Sequence, residues 1–292
     1  MRGSLRWVGT RVFAPGVFVA AIGVAMVLSL QGAAPAWLGV LLAAALAACF
    51  AAERMWPYEP VWNRDRGDGD RDLLHALVNE GATVASIALL PVLASFAGTG
   101  LWPEHWPLLA QWALAVVVAD MGITLAHAAS HRYAALWRLH AVHHSVTRMY
   151  GMNGWMKHPL HQGLETLAGT APLIVLGLPQ TVAWLLGFSV ALQLLLQHAN
   201  LEMRLGALGR WWAVAPGHRL HHVASTDGDV NFGLFTLVWD RMLGTYRAPE
   251  EAAPRDGALG VADRSDYPVA YLAQLVEPFR LARRWRPAPQ TR

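Results

Sequence analysis

Long uncharged stretches alternate with charged segments along this chain and predict helices that cross a membrane. No charged residue occurs between Arg11 and Glu53. At about 1.5 Å per residue, the stretch from Val12 to Ala52 corresponds to about 60 Å of helix, enough to cross a hydrocarbon core of ~30 Å twice. The segment 31–35, Gln-Gly-Ala-Ala-Pro, provides a turn between these two crossings.

Three further uncharged runs predict the rest of the membrane region. Residues 81–103 and 105–119 each predict one crossing. The run 166–201 is interrupted by Gly177-Leu178-Pro179, and its first arm is too short to cross alone. It therefore predicts a hairpin that enters the membrane and returns. The predicted fold class is all-α, with several membrane helices that carry a helical cap.

The chain divides into three regions on this basis. Residues 1–126 form N-terminal transmembrane helices with about four crossings, and 127–248 form a histidine-rich region that includes the hairpin. Residues 249–292 form a C-terminal tail. The basic end of this tail, 280–292, predicts either contact with anionic lipid headgroups or a solvated extension.

The distribution of lysine and arginine predicts the orientation in the membrane. The proposed outer loops, 31–36, 99–107 and the turn near Pro179, contain none of the 23 basic residues. The positive-inside rule places the basic segments in the cytoplasm. Both termini and the histidine-rich region are therefore predicted on the cytoplasmic side of the cytoplasmic membrane.

A cleavable signal peptide is an alternative for the N-terminus. Arg2, Arg6 and Arg11 precede an apolar stretch that ends near Ala33-Ala34, as such signals require. A second apolar run follows at once, which favours two membrane helices.

Composition excludes several classes of protein. Hydrophobic residues make up 54% of the 292 positions and charged residues 15%, whereas a soluble domain carries about 25% charged residues. A single cysteine, Cys49, excludes an internal disulfide, a CxxC zinc site and a thiolate cluster. The formal net charge of +3 is too small to indicate a nucleic-acid partner.

The 13 histidines are clustered. Composition alone would produce about 0.025 HxxHH matches in a chain of this kind, and two are present. The clustered histidines are His127 and His131 (HxxxH), His140, His143 and His144 (HxxHH), His158 and His161 (HPxH), His198, and His218, His221 and His222 (HxxHH).

This spacing indicates a metal centre. Helical positions i, i+3 and i+4 share a face, with Cβ atoms ~5–6 Å apart, so their imidazoles can converge on one ion. Buried imidazoles without partners are costly, and a bound divalent ion removes that cost. A site takes four to six ligands, so these histidines suit two ions. His75 and His105 have no neighbour at ligand spacing and are not predicted as ligands.

The spacing of the histidines does not identify the metal or the residues around its ligands. Imidazole binds zinc, copper, iron and nickel alike. Asp120 is the one acid inside an apolar run and lies on the same helical face as His127. An acid at membrane depth is a functional candidate. We expect Asp120 to accept a hydrogen bond from a ligand imidazole; a polar contact between helices is the alternative.

The histidine boxes resemble those of the membrane fatty acid hydroxylase and sterol desaturase superfamily. The resemblance extends from about Asp120 to Tyr246 and includes segments without histidine, Asn231-Phe-Gly233 and Trp239-Asp240-Arg-Met-Leu-Gly244. Residues 1–119 match only as apolar helices. The motifs with histidine are His127-x-x-x-His131, Trp137-Arg-Leu-His140-x-x-His143-His144, Lys157-His158-Pro159, Gln197-His198-Ala-Asn200 and Pro216-Gly-His218-x-x-His221-His222.

The resemblance implies a non-haem di-iron oxygenase that hydroxylates or desaturates a lipid with O2, its site in a cytoplasmic cap. The eleven clustered histidines are the predicted ligands of the two iron ions, for which zinc can substitute. The pattern determines His158, His161 and His198 less than the other eight, and His161 either adds a ligand or caps the site. Asp120, Asn200, Asn231 and Asp240 are predicted to support the ligands. Two departures concern the usual motifs. Ala128 replaces an arginine, and His161 replaces a glutamate.

Electrons are predicted to come from a separate donor, either a ferredoxin, a cytochrome b5-like protein or a reductase. No GxGxxG motif follows a strand pattern in this chain. A basic face with Arg138, Arg148, Lys157, Arg210 and Arg219 provides either a docking surface for an acidic carrier or ordinary positive-inside bias.

Two other classes of protein place histidines beside membrane helices. A divalent-metal transporter, or a metal-storage protein, is one, but a transporter carries polar ligands near the bilayer midplane. The apolar runs here have no histidine in their middles. A membrane zinc hydrolase is the other, and it needs a general base beside the metal. The HExxH motif is absent from the sequence.

Overall fold

The computed structural model of the chain describes residues 2–249, 254–262 and 264–280. Within these ranges the backbone is mostly helical and has no β-strand. The basic end of the tail, from residue 281 onward, lies outside the described residues. The α-helices are α1 (Arg2–Leu30), α2 (Ala36–Met55), α3 (Gly69–Ala97), α4 (Leu108–Arg132), α5 (Ala134–His144), α6 (Pro159–Leu176), α7 (Gln180–His198), α8 (Ala215–His221), α9 (Val238–Leu243) and α10 (Tyr271–Val276). Short 3-10 helices cover Pro60–Asn63, Gly151–Trp155, Gly206–Arg210, Thr226–Gly228 and Glu277–Phe279.

Five of the described helices, α1, α2, α3, α4 and α7, are long and apolar enough to cross a membrane. They correspond to the four predicted crossings and the returning arm of the hairpin. Helix α6 is the shorter first arm and is not among them. The predicted all-α membrane architecture is therefore confirmed.

Helix α7 lies at the centre of the membrane bundle. Within its apolar span 78% of the residues are buried, against 17–28% in the other four spans. It contacts α1, α2, α3 and α4 as well as α8 of the cap. The surrounding helices leave large apolar side chains exposed, such as Val19, Leu89 and Phe96, as expected for surfaces that face lipid.

The hairpin between α6 and α7 follows from local sequence. His158 caps α6, because its Nδ1 accepts a hydrogen bond from the amide of Leu160, and Pro159 occupies the first helical turn, where no amide donor is needed. Gly177 ends α6 with φ of 93°, a left-handed conformation that favours glycine. Pro179 then precedes α7.

Helix α6 packs closely on α4, which brings the hairpin against the helix that carries the first histidine box. A Cβ atom at Gly122 would lie 2.2 Å from the carbonyl oxygen of Ala168, so only glycine permits this approach.

The cap is built partly from helices that continue out of the membrane region. In the first half of α3, Asn79 donates to the carbonyl of Lys157. His75 is also buried there, and its two ring nitrogens contact Lys157 O and Gln274 Oε1. A buried ion pair between Arg148 and Asp68, 2.7 Å apart, joins further parts of the cap. These contacts fix the segments around the histidine boxes.

Candidate metal centre

Nine buried histidines converge in two adjacent groups within the described part of the chain. In each group one potential ligand atom of every residue lies within 4.8 Å of the others. We call them the five-histidine group and the four-histidine group. The first contains His127, His131, His140, His144 and His221, and the second contains His143, His198, His218 and His222.

Each HxxHH box is divided between the two groups. The i and i+4 residues of the first box, His140 and His144, enter the five-histidine group, and His143 enters the other. The second box does the reverse, because His218 and His222 enter the four-histidine group. At 3.6 residues per turn, i and i+4 lie about 40° apart around the helix, whereas i+3 and i+4 lie about 100° apart. Two imidazoles of each box therefore share a group, and the third residue of each HxxHH box joins the other group.

The five-histidine group is centred on His144. Its Nε2 lies 3.0 Å from Nε2 of His140, 3.0 Å from that of His221 and 3.2 Å from that of His131. Nε2 of His127 lies 2.9 Å from that of His221. Helices α4, α5 and α8 therefore direct five ring nitrogens at one small volume.

The four-histidine group is arranged as a chain of contacts. Nε2 of His198 lies 3.2 Å from that of His143 and 3.1 Å from that of His218, which lies 3.1 Å from that of His222. His198 is the last residue of α7. The central membrane helix thus contributes to the centre directly.

The proton positions in the five-histidine group favour a bound cation. A ring nitrogen that contacts a carbonyl must be the donor, because a carbonyl only accepts. Nδ1 of His127 contacts Phe232 O at 2.9 Å, and Nδ1 of His221 contacts Val230 O at 3.0 Å. If both rings are neutral, each Nε2 then carries a lone pair, and the two lone pairs face each other. A metal ion between them removes this repulsion.

The same arrangement occurs in the four-histidine group. Nδ1 of His143 donates to Met156 O at 2.9 Å, and Nδ1 of His198 donates to Leu194 O at 3.0 Å. The lone pairs on their two Nε2 atoms therefore also face each other. The donor set of each group therefore fits a metal ion.

Burial keeps the cap histidines neutral. It lowers the pKa of His140, His143, His144, His218, His221 and His222 well below the ordinary value, because imidazolium is poorly solvated there, and neighbouring imidazoles lower it further. Neutral imidazole is the form that binds metal.

The remaining two predicted ligands lie outside the two groups. His158 caps α6, and its Nε2 contacts the carbonyl of Leu275. His161 contacts Ser130 Oγ at 2.9 Å through Nε2 and forms a separate cluster with His140 and Glu165. The fold brings His158 to neither group. It places His161 beside His140 but does not include it in the five-histidine group.

Asp120 forms hydrogen bonds with a loop and not with an imidazole. Its carboxylate accepts hydrogen bonds from the amides of Phe235 and Thr236, from the hydroxyl of Thr236 and from Nε1 of Trp239. The expected hydrogen bond from a ligand ring is absent among the described contacts of Asp120. The carboxylate instead fixes the 231–236 loop against α4.

Two more predicted supporting residues hold the same loop. Asp240 accepts from the amides of Phe232 and Gly233, at 2.7 and 2.9 Å. Asn231, with φ of 54°, donates to the carbonyls of Gly217 and Arg247. The loop in turn presents the carbonyl of Phe232 to a ligand ring.

Asn200 has a different role from the one predicted. Its side chain bonds the amide and carbonyl of Glu59 and the side chain of Asn63. It therefore joins the segment after α2 to the end of α7, and its described contacts include no ligand.

The sequence did not reveal Asp229. Its Oδ1 lies 2.8 Å from Nδ1 of His131, which makes it the carboxylate bonded directly to a grouped histidine. Burial raises the pKa of Asp229 to about 6. Asp227 lies two residues earlier in the same loop and is exposed. No spacing signal separates these two acids, because only the folded loop places one of them against α4.

An apolar cavity of about 440 Å³ lies beside the histidine groups, between α3, α4, α6 and α7. Ile123 and Leu194, each one helical turn before a grouped histidine, form part of its wall. Glu165 also lines it and lies within 4.8 Å of a ligand atom of His140. The cavity therefore lies next to the metal centre, although none of the grouped histidines lines it, and it continues along the membrane helices.

The predicted basic docking face is mostly buried. Arg148 pairs with Asp68, and Lys157 pairs with Glu165. Arg219 is buried and donates to backbone carbonyls at the end of α7. These three cations stabilise the cap internally, so they do not form a surface for a redox partner.

Comparison with known proteins confirms the predicted resemblance. The family model of fatty acid hydroxylases matches residues 112–245, a range that contains both histidine groups. An ornithine lipid hydroxylase from Rhizobium tropici is 32% identical over 254 residues, which cover 83% of this chain and 76% of that protein.

Two further relatives match a shorter part of the chain. An alkylglycerol monooxygenase from Danio rerio is 31% identical over 150 residues, which are 51% of this chain and 32% of that protein. A Delta(7)-sterol 5(6)-desaturase from Candida glabrata is 27% identical over 153 residues, which are 52% of this chain and 40% of that protein. No solved structure matches the chain.

Proposed function

Because this chain belongs to the fatty acid hydroxylase family, we propose that it is an integral membrane enzyme that hydroxylates or desaturates a lipid with O2. We also propose that the enzyme binds two iron ions and receives electrons from a separate redox protein. The observation that carries it is the pair of buried histidine groups, in which ring lone pairs face each other, next to an apolar cavity.

The number of ring nitrogens in the five-histidine group supports iron over zinc. Structural zinc takes four ligands, whereas five histidines converge in this group. A five- or six-coordinate ion such as iron suits this larger set.

The reaction consumes one O2 and two electrons in each turnover. Hydroxylation replaces a C–H bond of the lipid with C–OH and releases one water, with two protons taken up. Desaturation removes two hydrogens and releases two waters. When bound, the metal pair supplies the redox chemistry with O2, while the cavity binds the lipid and excludes water.

We propose that the metal centre faces the cytoplasm. The basic segments lie on one side of the predicted crossings, and the positive-inside rule makes that side cytoplasmic. The metal centre is then beneath the inner leaflet of the cytoplasmic membrane, where a soluble electron donor such as a ferredoxin, a cytochrome b5-like protein or a reductase can reach it.

Comparative lipid mass spectrometry of cells with and without the protein tests the function. We expect lipids shifted by +16 or −2 mass units only in cells that contain it. Lipid profiles that remain identical, with zinc and no iron in the purified protein, would contradict the proposal and favour a zinc hydrolase.

A matched pair of glycine variants shows whether the cavity is used. Gly163 lines the cavity and Gly81 does not, and a Cβ atom added at either position would meet open space. Gly163→Leu should lower the shifted lipid at least about tenfold by filling the cavity mouth, and Gly81→Leu should not. Replacing a helical glycine stabilises a helix by about 1 kcal/mol, so unfolding does not explain a loss.

A further inference from the structure

A buried acid near the end of α2 binds two backbone segments that lead to the four-histidine group. Glu53 is buried and lies outside the residues that the family model matches. One of its carboxyl oxygens, Oε1, accepts hydrogen bonds from the amide of Gly151 at 2.8 Å and from the amide of Asn200 at 2.9 Å. Neither amide belongs to α2, so this oxygen joins two segments that are distant from it along the chain.

The first of these segments orients His143. Gly151 begins the 3-10 helix Gly151–Trp155, and Met156 follows this helix. The carbonyl of Met156 accepts a hydrogen bond from Nδ1 of His143, which leaves Nε2 of that ring for the four-histidine group. The position of this short helix therefore fixes one ring of the group.

The second segment contains His198. This histidine is the last residue of α7, and Asn200 follows it by two positions. Nδ1 of His198 donates to Leu194 O. The 3-10 helix packs directly against this carbonyl, because a Cβ atom at Gly154 would lie 2.3 Å from Leu194 O. Both sides of this contact are bonded to Glu53.

Glu53 acts on these segments through hydrogen bonds and forms no ion pair within the described residues. Arg148 and Arg219 act on it electrostatically, but Arg148 pairs with Asp68 and Arg219 donates to backbone carbonyls at the end of α7. A metal ion in the group would add an attraction that does not depend on the two amide bonds. A neutral amide oxygen can accept the same two bonds, so their effect is separable from that of charge.

We propose that Glu53 is a positioning residue of the metal centre, which holds the backbone around His143 and His198 so that the two Nε2 atoms stay together. Asp120 and Asp240 hold a loop beside the five-histidine group in a similar way. The proposal rests on the metal centre of the proposed function. It goes further because it gives the first two membrane helices, which contain no histidine, a role at that centre.

Two substitutions at this position separate the hydrogen bonds from the rest of the side chain. Glu53→Leu removes the acceptor, whereas Glu53→Gln keeps an oxygen for both amides. In protein purified with its iron, chelator titration should show one ion held about tenfold more weakly in Glu53→Leu, as for other residues that orient a ligand. Because the amide oxygen still accepts both bonds, Glu53→Gln should stay within about threefold of the unsubstituted protein.

Variants that keep a single ion identify which ion is affected. His144→Ala should keep the ion of the four-histidine group, and His218→Ala should keep that of the five-histidine group. Adding Glu53→Leu should therefore weaken the remaining ion in His144→Ala and not in His218→Ala. Cys49, one turn before Glu53, lies 3.9 Å from its Oε1. Cys49→Ala leaves both amide bonds in place and should change neither ion.

Amide hydrogen exchange of the metal-free protein measures the positioning without any metal. Peptides that contain Gly151 and Asn200 should exchange at least about tenfold faster in Glu53→Leu, because both amides lose their acceptor. They should exchange at the normal rate in Glu53→Gln. Peptides from the 231–236 loop should be unchanged in both variants.

The outcomes separate this inference from the proposed function. Equal weakening of both ions in Glu53→Leu, or the same loss in Glu53→Gln as in Glu53→Leu, would overturn the inference and leave the function intact. Unchanged exchange at Gly151 and Asn200 in Glu53→Leu would do the same. Failure of the unsubstituted protein to bind any metal would overturn both.

Discussion

The two histidine groups lie side by side but are supported differently. In the five-histidine group, His131 is bonded to the carboxylate of Asp229. In the four-histidine group, the described partners of Nδ1 atoms are backbone carbonyls, and Nδ1 of His218 and His222 has no partner within the described residues. A carboxylate makes its histidine a stronger donor to a metal. Two metal ions in these groups would therefore have similar imidazole ligands but different surroundings, and we expect the five-histidine group to hold its ion more tightly.

Removing one ligand from each group should have the largest effect. His144→Ala and His218→Ala each delete a ring whose Nε2 contacts at least two others. We expect each variant to lose product formation and to bind about one metal ion per chain instead of about two. Elemental analysis and lipid mass spectrometry measure both quantities.

The exposed histidine of the described loops provides the control for these variants. His105 lies outside both groups, and His105→Ala should keep its metal and activity. If His144→Ala or His218→Ala retained full activity, the assignment of that group as a metal site would be wrong.

A smaller and selective effect is expected from Asp229→Asn. The amide keeps the shape but removes the negative charge beside His131, and loss of such a partner lowers metal affinity about 10–100-fold. Titration with a chelator should show one ion lost earlier and the other unchanged. Asp227→Asn alters an exposed carboxylate in the same loop and should change neither ion. Equal weakening of both ions in Asp229→Asn would contradict the difference between the groups.

The smallest effect is expected at Asn231, which connects the groups. Its side chain bonds Gly217 O, beside a ligand of the four-histidine group, and its neighbours Val230 and Phe232 present carbonyls to the five-histidine group. Asn231→Gly loses the hydrogen bonds but tolerates φ of 54°. Asn231→Ala should be less stable by about a further 1 kcal/mol because of backbone strain.

Thermal denaturation of the metal-loaded protein measures the stability of the Asn231 variants. Chelator titration should show both ions weakened slightly and to a similar extent, unlike the selective loss in Asp229→Asn. A selective loss of one ion in Asn231→Gly would show that this residue does not connect the two groups.

Residue pattern alone predicted the membrane helices and most of the histidines that the fold brings together. The uncharged runs located the crossings because a charge at membrane depth is costly. Clustered histidines identified nine residues that the fold brings together, since the periodicity of a helix is a local property. His158 and His161 had the same signal, yet the fold uses one as a helix cap and directs the other to Ser130.

The supporting residues were harder to predict. Asp120, Asp240 and Asn231 were identified as important polar positions, but each acts on the backbone of a loop instead of on a ring. Asp229 carried no signal at all. A contact between a loop acid and a helix far away in the chain depends on the path of the whole loop, which local spacing does not contain.

Local residue patterns were enough to predict that this protein is helical, lies in a membrane and carries enough imidazoles for two metal ions, because hydrophobic length and helical periodicity act over neighbouring residues. The folded structure was needed to assign each ring to a group, to identify the carboxylate beside His131 and to locate the apolar cavity. Those features depend on the packing of α4, α5, α7 and α8 and on a cavity between helices that are distant along the chain.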